Sequence, residues 1–115
     1  RNPATRRLFM NPVEKAMFEA NEDMMFFLTL WSAKETLFKI VGQKGVSLRQ
    51  DIALDMKKFT SAKNGILPGT VTKDELQHAY EVYYEIRPDF VLTYTNDGLS
   101  AIGLWESFFP DRAIG

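Results

Sequence analysis

The 115-residue chain is 45% apolar and 13% aromatic, enough for one packed core and one domain at this length. A formal net charge of −1 and the lack of cysteine exclude nucleic-acid binding through a large basic excess, disulfides and thiolate metal sites. They fit a reducing, cytoplasmic setting. The longest apolar stretch, Met24 to Trp31 with Thr29 inside it, is too short to cross a bilayer, so neither nucleic acid nor a membrane is an expected partner. Nine Phe, four Tyr and two Trp are more apolar surface than so small a domain easily covers, and self-association or a partner face is expected. Residue one is Arg, and no charged-then-apolar leader follows it. The chain is therefore expected to be a piece of a longer one.

Residues 1–10 form a polar, basic lead-in. Asn11-Pro12-Val13-Glu14 predicts a helix start, with Asn at the N-cap, Pro at the first helical position and Glu at the third. That helix is expected to reach about Ala20. Glu22 and Asp23 favour a second helix N-terminus, and the second helix is expected to run to about Val41 and stop at Gly42. Asp51 to Lys57 alternates with period two and predicts a half-buried strand. Phe59 to Gly69, punctuated by Ser, Asn, Gly and Pro, reads as a loop with a short strand around Ile66. Thr70 to Gln77 is ambiguous. Tyr80–Ile86 and Phe90–Thr95 read as strands joined by the turn Arg87-Pro88-Asp89. In the tail, residues 98–115, a short helix is expected around Leu99 to Phe109. The pattern is an α+β domain, two helices packed on a small antiparallel sheet.

On the second helix, Met24, Phe27, Leu28, Trp31 and Phe38 recur at helical spacing and predict one apolar face. Glu35 lies in the middle of it, and Lys39 is one turn further on. From the residues alone two readings stand. Glu35 and Lys39 pair at the core edge, contributing about 0.3–0.5 kcal/mol. Alternatively, Glu35 binds a divalent cation while Lys34 and Lys39 hold phosphate oxygens beside it.

The run Trp31-Ser32-Ala33-Lys34-Glu35-Thr36-Leu37-Phe38-Lys39 resembles the helix signature of the 4′-phosphopantetheinyl transferase superfamily, Trp/Phe-x-x-Lys-Glu-Ala/Ser-x-x-Lys, with Thr36 at the usual Ala or Ser. Arg7 to Glu14 is similar to the family's Arg/Lys-x-Phe-x-x-x-x-Glu segment, and Gly42 to Leu48 to its glycine turn. The similarity covers roughly Arg6 to Asp97. It implies that Glu35 is a metal ligand, for Mg²⁺ or Mn²⁺, and a candidate activator of the attacking serine. Lys39 would contact the transferred phosphate of coenzyme A, and Lys34 would contact phosphates or help position Glu35. Glu14 matches an acidic position near the site, set against its reading as the third residue of a capping box. Trp31 is assigned to the core. The implied activity is a holo-[acyl-carrier-protein] synthase type of transfer to an acyl or peptidyl carrier protein, serving fatty acid, polyketide or nonribosomal peptide biosynthesis.

The family's Asp-x-Glu metal motif is expected just upstream of Arg1. Neither that motif nor the N-terminal start and late Ser-x-Thr/Ser-His pattern of the short synthase type stands here, and Tyr80 to Thr95 resembles the C-terminal half of the two-lobed type. The expected partners are therefore a missing N-terminal lobe or a second copy, besides the carrier protein. The alternative is a non-catalytic fragment or interaction module that keeps the fold without the reaction.

Overall fold

A computed structural model describes residues 9–42, 45–96 and, as backbone, 98–103. Helix α1 spans Pro12–Asn21 and helix α2 Met24–Ile40. The strands are β1 (Ile52–Leu54), β2 (Gly65–Lys73), β3 (Leu76–Ile86), β4 (Phe90–Thr95) and β5 (Gly98–Gly103). They form one antiparallel sheet in sequence order, and α2 packs across β4 and β5 while touching β1. This is the α+β arrangement of two helices on a small antiparallel sheet. No described helix is long and apolar enough to cross a membrane.

The helix ends follow from their capping chemistry. Asn11 accepts the Glu14 N–H at 2.9 Å, and the Glu14 carboxylate accepts the Asn11 N–H at 2.9 Å, a complete capping box. Asp23 caps α2 by accepting the Met25 N–H at 2.9 Å. α2 ends at Val41, whose carbonyl accepts from the Lys73 ammonium at 2.7 Å. Gly42 follows with φ +90°, a conformation costly for any residue with a Cβ.

The core joins Phe18, Phe26, Phe27, Leu30 and Leu37 to the inward side chains of the sheet, Ile52, Leu54, Leu67, Val71, Val82, Tyr84 and Val91. Gly69 lets the layers close. A Cβ there would lie 3.0 Å from Leu37 Cδ1 and 3.2 Å from Leu54 Cδ1. The sequence-based face of α2 holds at Phe27 and Leu28, which are buried, and at Trp31 and Phe38, which pack against the core; it fails at Met24 and leaves out a polar buried side. Leu28, Leu30, Ala33 and Leu37 are fully buried, but so are Thr29, Ser32, Lys34 and Thr36, while Met24 is 38% exposed and Trp31 and Phe38 are half-buried. Thr93 satisfies two of the buried hydroxyls, those of Ser32 and Thr36, while Thr29 Oγ1 has no hydrogen-bond partner among the described residues. Thr93 Oγ1 lies 2.7 Å from Ser32 Oγ and 2.9 Å from Thr36 Oγ1. Hydropathy periodicity does not register such a face.

Three strand assignments also change. β1 is shorter than the predicted 51–57 run, although Ile52, Leu54 and Met56 all point inward. The short strand expected around Ile66 within the loop 59–69 is present, but as the first half of the nine-residue β2. Pro68 is tolerated there because its carbonyl accepts from Asp55 N at 2.8 Å. Its missing N–H therefore points the same way, toward the β1 side, and no bond to β3 is lost. Residues 98–103 continue the sheet as β5 instead of starting a helix, and residues 104–109 lie outside the described residues.

The ambiguous segment 70–77 is a two-residue hairpin closed by the pair Lys73 and Leu76. Asp74 and Glu75 both take positive φ, 54° and 66°, as a type I′ turn demands. Neither is glycine, so the usual signal is absent. The left-handed region costs a non-glycine residue about 1–2 kcal/mol. The double substitution Asp74→Asn with Glu75→Gly is therefore expected to raise unfolding stability by about 1 kcal/mol in a urea titration.

Candidate functional site

α2 has one side that the described residues leave partly uncovered. Trp31, Glu35 and Phe38 are half-buried there and Lys39 is exposed. Trp31 stacks on Phe9 at 6.2 Å and meets Phe27 edge-on at 6.1 Å, which fixes the strip's N-terminal end. Glu35 follows Trp31 by one turn. Lys39 sits in the last turn of α2, where a cation is favoured by the helix dipole. Among the described residues neither Glu35 nor Lys39 forms an ion pair, so the expected Glu35–Lys39 bridge is not made. The carboxylate is not a charge stranded in the core. It is half-open to solvent between two aromatic side chains.

Lys34, one residue earlier, points elsewhere. It is fully buried, and its ammonium lies 2.6 Å from Glu14 Oε1. It also donates to Phe9 O at 2.9 Å and Leu48 O at 2.8 Å. Three donors meet three acceptors, so the ammonium has no proton left for a phosphate. The expectation that Lys34 contacts phosphates is corrected to a structural role, because burial commits its charge inside the fold. Desolvation holds its pKa below 10.5, opposed by the Glu14 carboxylate and its hydrogen bond.

Glu14 is corrected in the same way. It is 1% exposed. Its Oε1 takes the Asn11 N–H and Lys34, and its Oε2 takes the Leu54 N–H at 2.9 Å. The capping-box reading holds, and no face of this carboxylate is open to a cation. The Glu14–Lys34 pair thereby joins the residues before α1, the start of α1, the turn before β1 and β1 itself to the middle of α2. The half-open strip and the buried hub are neighbours that share Phe9, whose carbonyl accepts from Lys34 and whose ring stacks on Trp31.

Sequence reasoning missed Phe9, Leu48 and Leu54 as hub partners, since each contributes only a backbone group. It also missed Thr93, whose Oγ1 lies 2.9 Å from Thr36 Oγ1 and whose carbonyl accepts from Thr36 Oγ1 at 3.3 Å. That contact accommodates the hydroxyl at a position where Ala or Ser is usual. No local signal marks a partner 57 residues away.

Glu35 fits one ligand position of a hard cation, whose remaining positions would go to waters and substrate phosphates. Among the described residues no group of three or more His, Cys, Asp or Glu side chains is brought together, so a full protein ligand set is not assembled there. The family model of the 4′-phosphopantetheinyl transferase superfamily matches residues 1–95. No match was found among curated proteins or among solved structures.

Proposed function

The chain belongs to the 4′-phosphopantetheinyl transferase superfamily, and from that premise we propose that α2 contributes Glu35 and Lys39 to a transferase site. The observation that supports this most is the split within one short run. Lys34 is buried and fully partnered, whereas Glu35 and Lys39 face outward with no ion-pair partner among the described residues.

In the proposed reaction a carrier-protein serine oxygen attacks the phosphorus that bears the pantetheine arm of coenzyme A. A P–O bond to the serine forms and the pyrophosphate P–O bond breaks. The arm becomes a phosphodiester and 3′,5′-adenosine diphosphate leaves with the electron pair. The serine proton passes to a base, for which Glu35 is the candidate in this chain. Bound Mg²⁺ or Mn²⁺ would supply charge neutralisation on the pyrophosphate oxygens, with Glu35 as one of its ligands. The Lys39 ammonium would hold a phosphate oxygen and favour the more highly charged transition state. Fatty acid, polyketide or peptide carriers all fit this chemistry. The rest of the site would come from another lobe or a second copy.

The test is transfer to an apo carrier protein, read as the mass gained by the carrier, using the longest chain that contains this segment. Mg²⁺- or Mn²⁺-dependent gain of one phosphopantetheine supports the reading. A protein that binds carriers without modifying them contradicts it. The second reading, a non-catalytic module, is favoured by the finding that no group of three or more possible metal ligands is brought together among the described residues, and the same assay separates the two.

A further inference from the structure

β3 is longer than its neighbour on one side. It pairs with β2 from Leu76 to Tyr84, but β4 pairs only with Tyr83 to Ile86. From Leu76 to Val82 that edge has no strand partner among the described residues. The hairpin closes at Lys73 and Leu76, so Leu76 turns its N–H and C=O toward β2, and the antiparallel ladder then alternates. Gln77, Ala79 and Glu81 accordingly present their backbone groups to the empty side.

Exposed edges are ordinarily blunted by Lys, Pro, a bulge or an inward charge. The stretch Leu76-Gln77-His78-Ala79-Tyr80-Glu81-Val82 has no Lys, Arg or Pro, and its pairing with β2 is continuous. Leu76 is 62% exposed. Residues 77–79 are exposed as well. A shallow cavity of about 200 Å³ runs beside the edge, lined by Ala79, Tyr80, Glu81, Tyr83, Thr95 and Asn96.

We propose that this edge is a docking site for the same edge of a second copy, antiparallel about a two-fold axis at Ala79, giving one sheet across two chains. This stands on strand geometry and does not depend on the transferase reading. In this register Ala79 faces Ala79 and Gln77 faces Glu81. The residues with free backbone groups are thus opposed to one another, for about six hydrogen bonds. Side chains agree: the Gln77 amide meets the Glu81 carboxylate, His78 lies opposite Tyr80, and the small Ala79 sits on the axis. The neighbouring registers are poorer. A shift toward the turn, with His78 on the axis, opposes Glu75 to Glu81, a like-charge pair. A shift the other way, with Tyr80 on the axis, needs the edge of Tyr83, which β4 already holds. An isologous contact of this kind closes on itself as a dimer.

The test uses the full chain in sedimentation velocity over a roughly hundredfold dilution series reaching about 1 mM, since a weak dimer follows mass action. A concentration-dependent dimer is expected. Ala79→Lys sets two ammonium groups against each other at the axis and is expected to weaken it at least about tenfold, with an unchanged thermal midpoint at dilutions where both proteins are monomeric. The chain has no cysteine, so Ala79→Cys gives an independent readout. Facing Cα atoms about 5.5 Å apart are within disulfide reach, and mild oxidation should yield a covalent dimer. Lys58→Cys, on an exposed loop residue, should not. A monomer throughout with no Ala79→Cys crosslink, or a dimer that Ala79→Lys leaves unmoved, overturns the proposal. If Ala79→Lys fails to fold, the crosslink decides alone.

Discussion

Lys34→Met is expected to lower the unfolding free energy by about 3–5 kcal/mol, because it leaves the buried Glu14 carboxylate without its counter-charge. The same substitution frees the carbonyls of Phe9 and Leu48, whose partner is the lysine ammonium, and buried acceptors without donors add to the loss. Denaturant unfolding measures it, and the midpoint should fall with little change in slope. Adding Glu14→Gln should recover part of the loss, since a neutral amide carries no stranded charge. That recovery is the coupling a double-mutant cycle reads. A pH dependence accompanies it. Desolvation lowers the Lys34 pKa from 10.5, so between that lowered value and 10.5 the unfolded chain binds more protons than the native one. Wild-type stability should therefore rise with pH in that window relative to Lys34→Met, which has nothing to titrate there. A Lys34→Met protein as stable as wild type would show that the pair does not hold the fold.

Glu35→Gln should behave in the opposite way. Glu35 is half-exposed and has no ion-pair partner among the described residues, so the substitution should move stability by no more than about 0.5 kcal/mol. Transfer to an apo carrier protein should fall by roughly 100-fold or more, the scale of losing a group that acts on transition-state charge. Lys39→Met should raise the KM for coenzyme A and lower kcat, because an ammonium on a phosphate oxygen acts before and during transfer. An interaction helix without chemistry would tolerate Glu35→Gln. Under the transferase reading the adjacent residues Lys34 and Glu35 separate cleanly, one failing in stability and the other in turnover.

Much of this was legible in the sequence where the physics is local. The capping box at Asn11 and Glu14, the cap at Asp23, the stop at Gly42 and the strand Phe90–Thr95 all rest on contacts within a few residues. The run from Trp31 to Lys39 marked the family. What escaped depended on distant partners. Pro68 reads as a loop residue until β1 is seen to end beside it. Asp74-Glu75 lacks the glycine of a tight turn. The buried side of α2 was misassigned because Ser32, Thr36 and Lys34 are polar, and their burial is licensed by Thr93, Glu14 and the backbone of Phe9 and Leu48. Trp31 and Phe38 pack against the core as the sequence suggests, but only by half, so they also border the side that carries Glu35. Within the candidate site, the sequence proposed Glu35 and Lys39, and the structure places Glu35 half-buried and Lys39 exposed on one side of α2. The sequence could not tell that Lys34 faces inward, because one residue along a helix is a 100° turn.

The open strip of α2, rather than the Glu14–Lys34 hub, is held to be where coenzyme A and its cation bind. Titration of Mn²⁺ with coenzyme A, followed by paramagnetic broadening of backbone amide signals, addresses this most directly. The predicted result is broadening strongest at Glu35, Phe38 and Lys39, weak in affinity for this chain because one carboxylate is a poor site for a hydrated cation, and lost in Glu35→Gln. Broadening that centres on another surface, or that persists unchanged in Glu35→Gln, would contradict it.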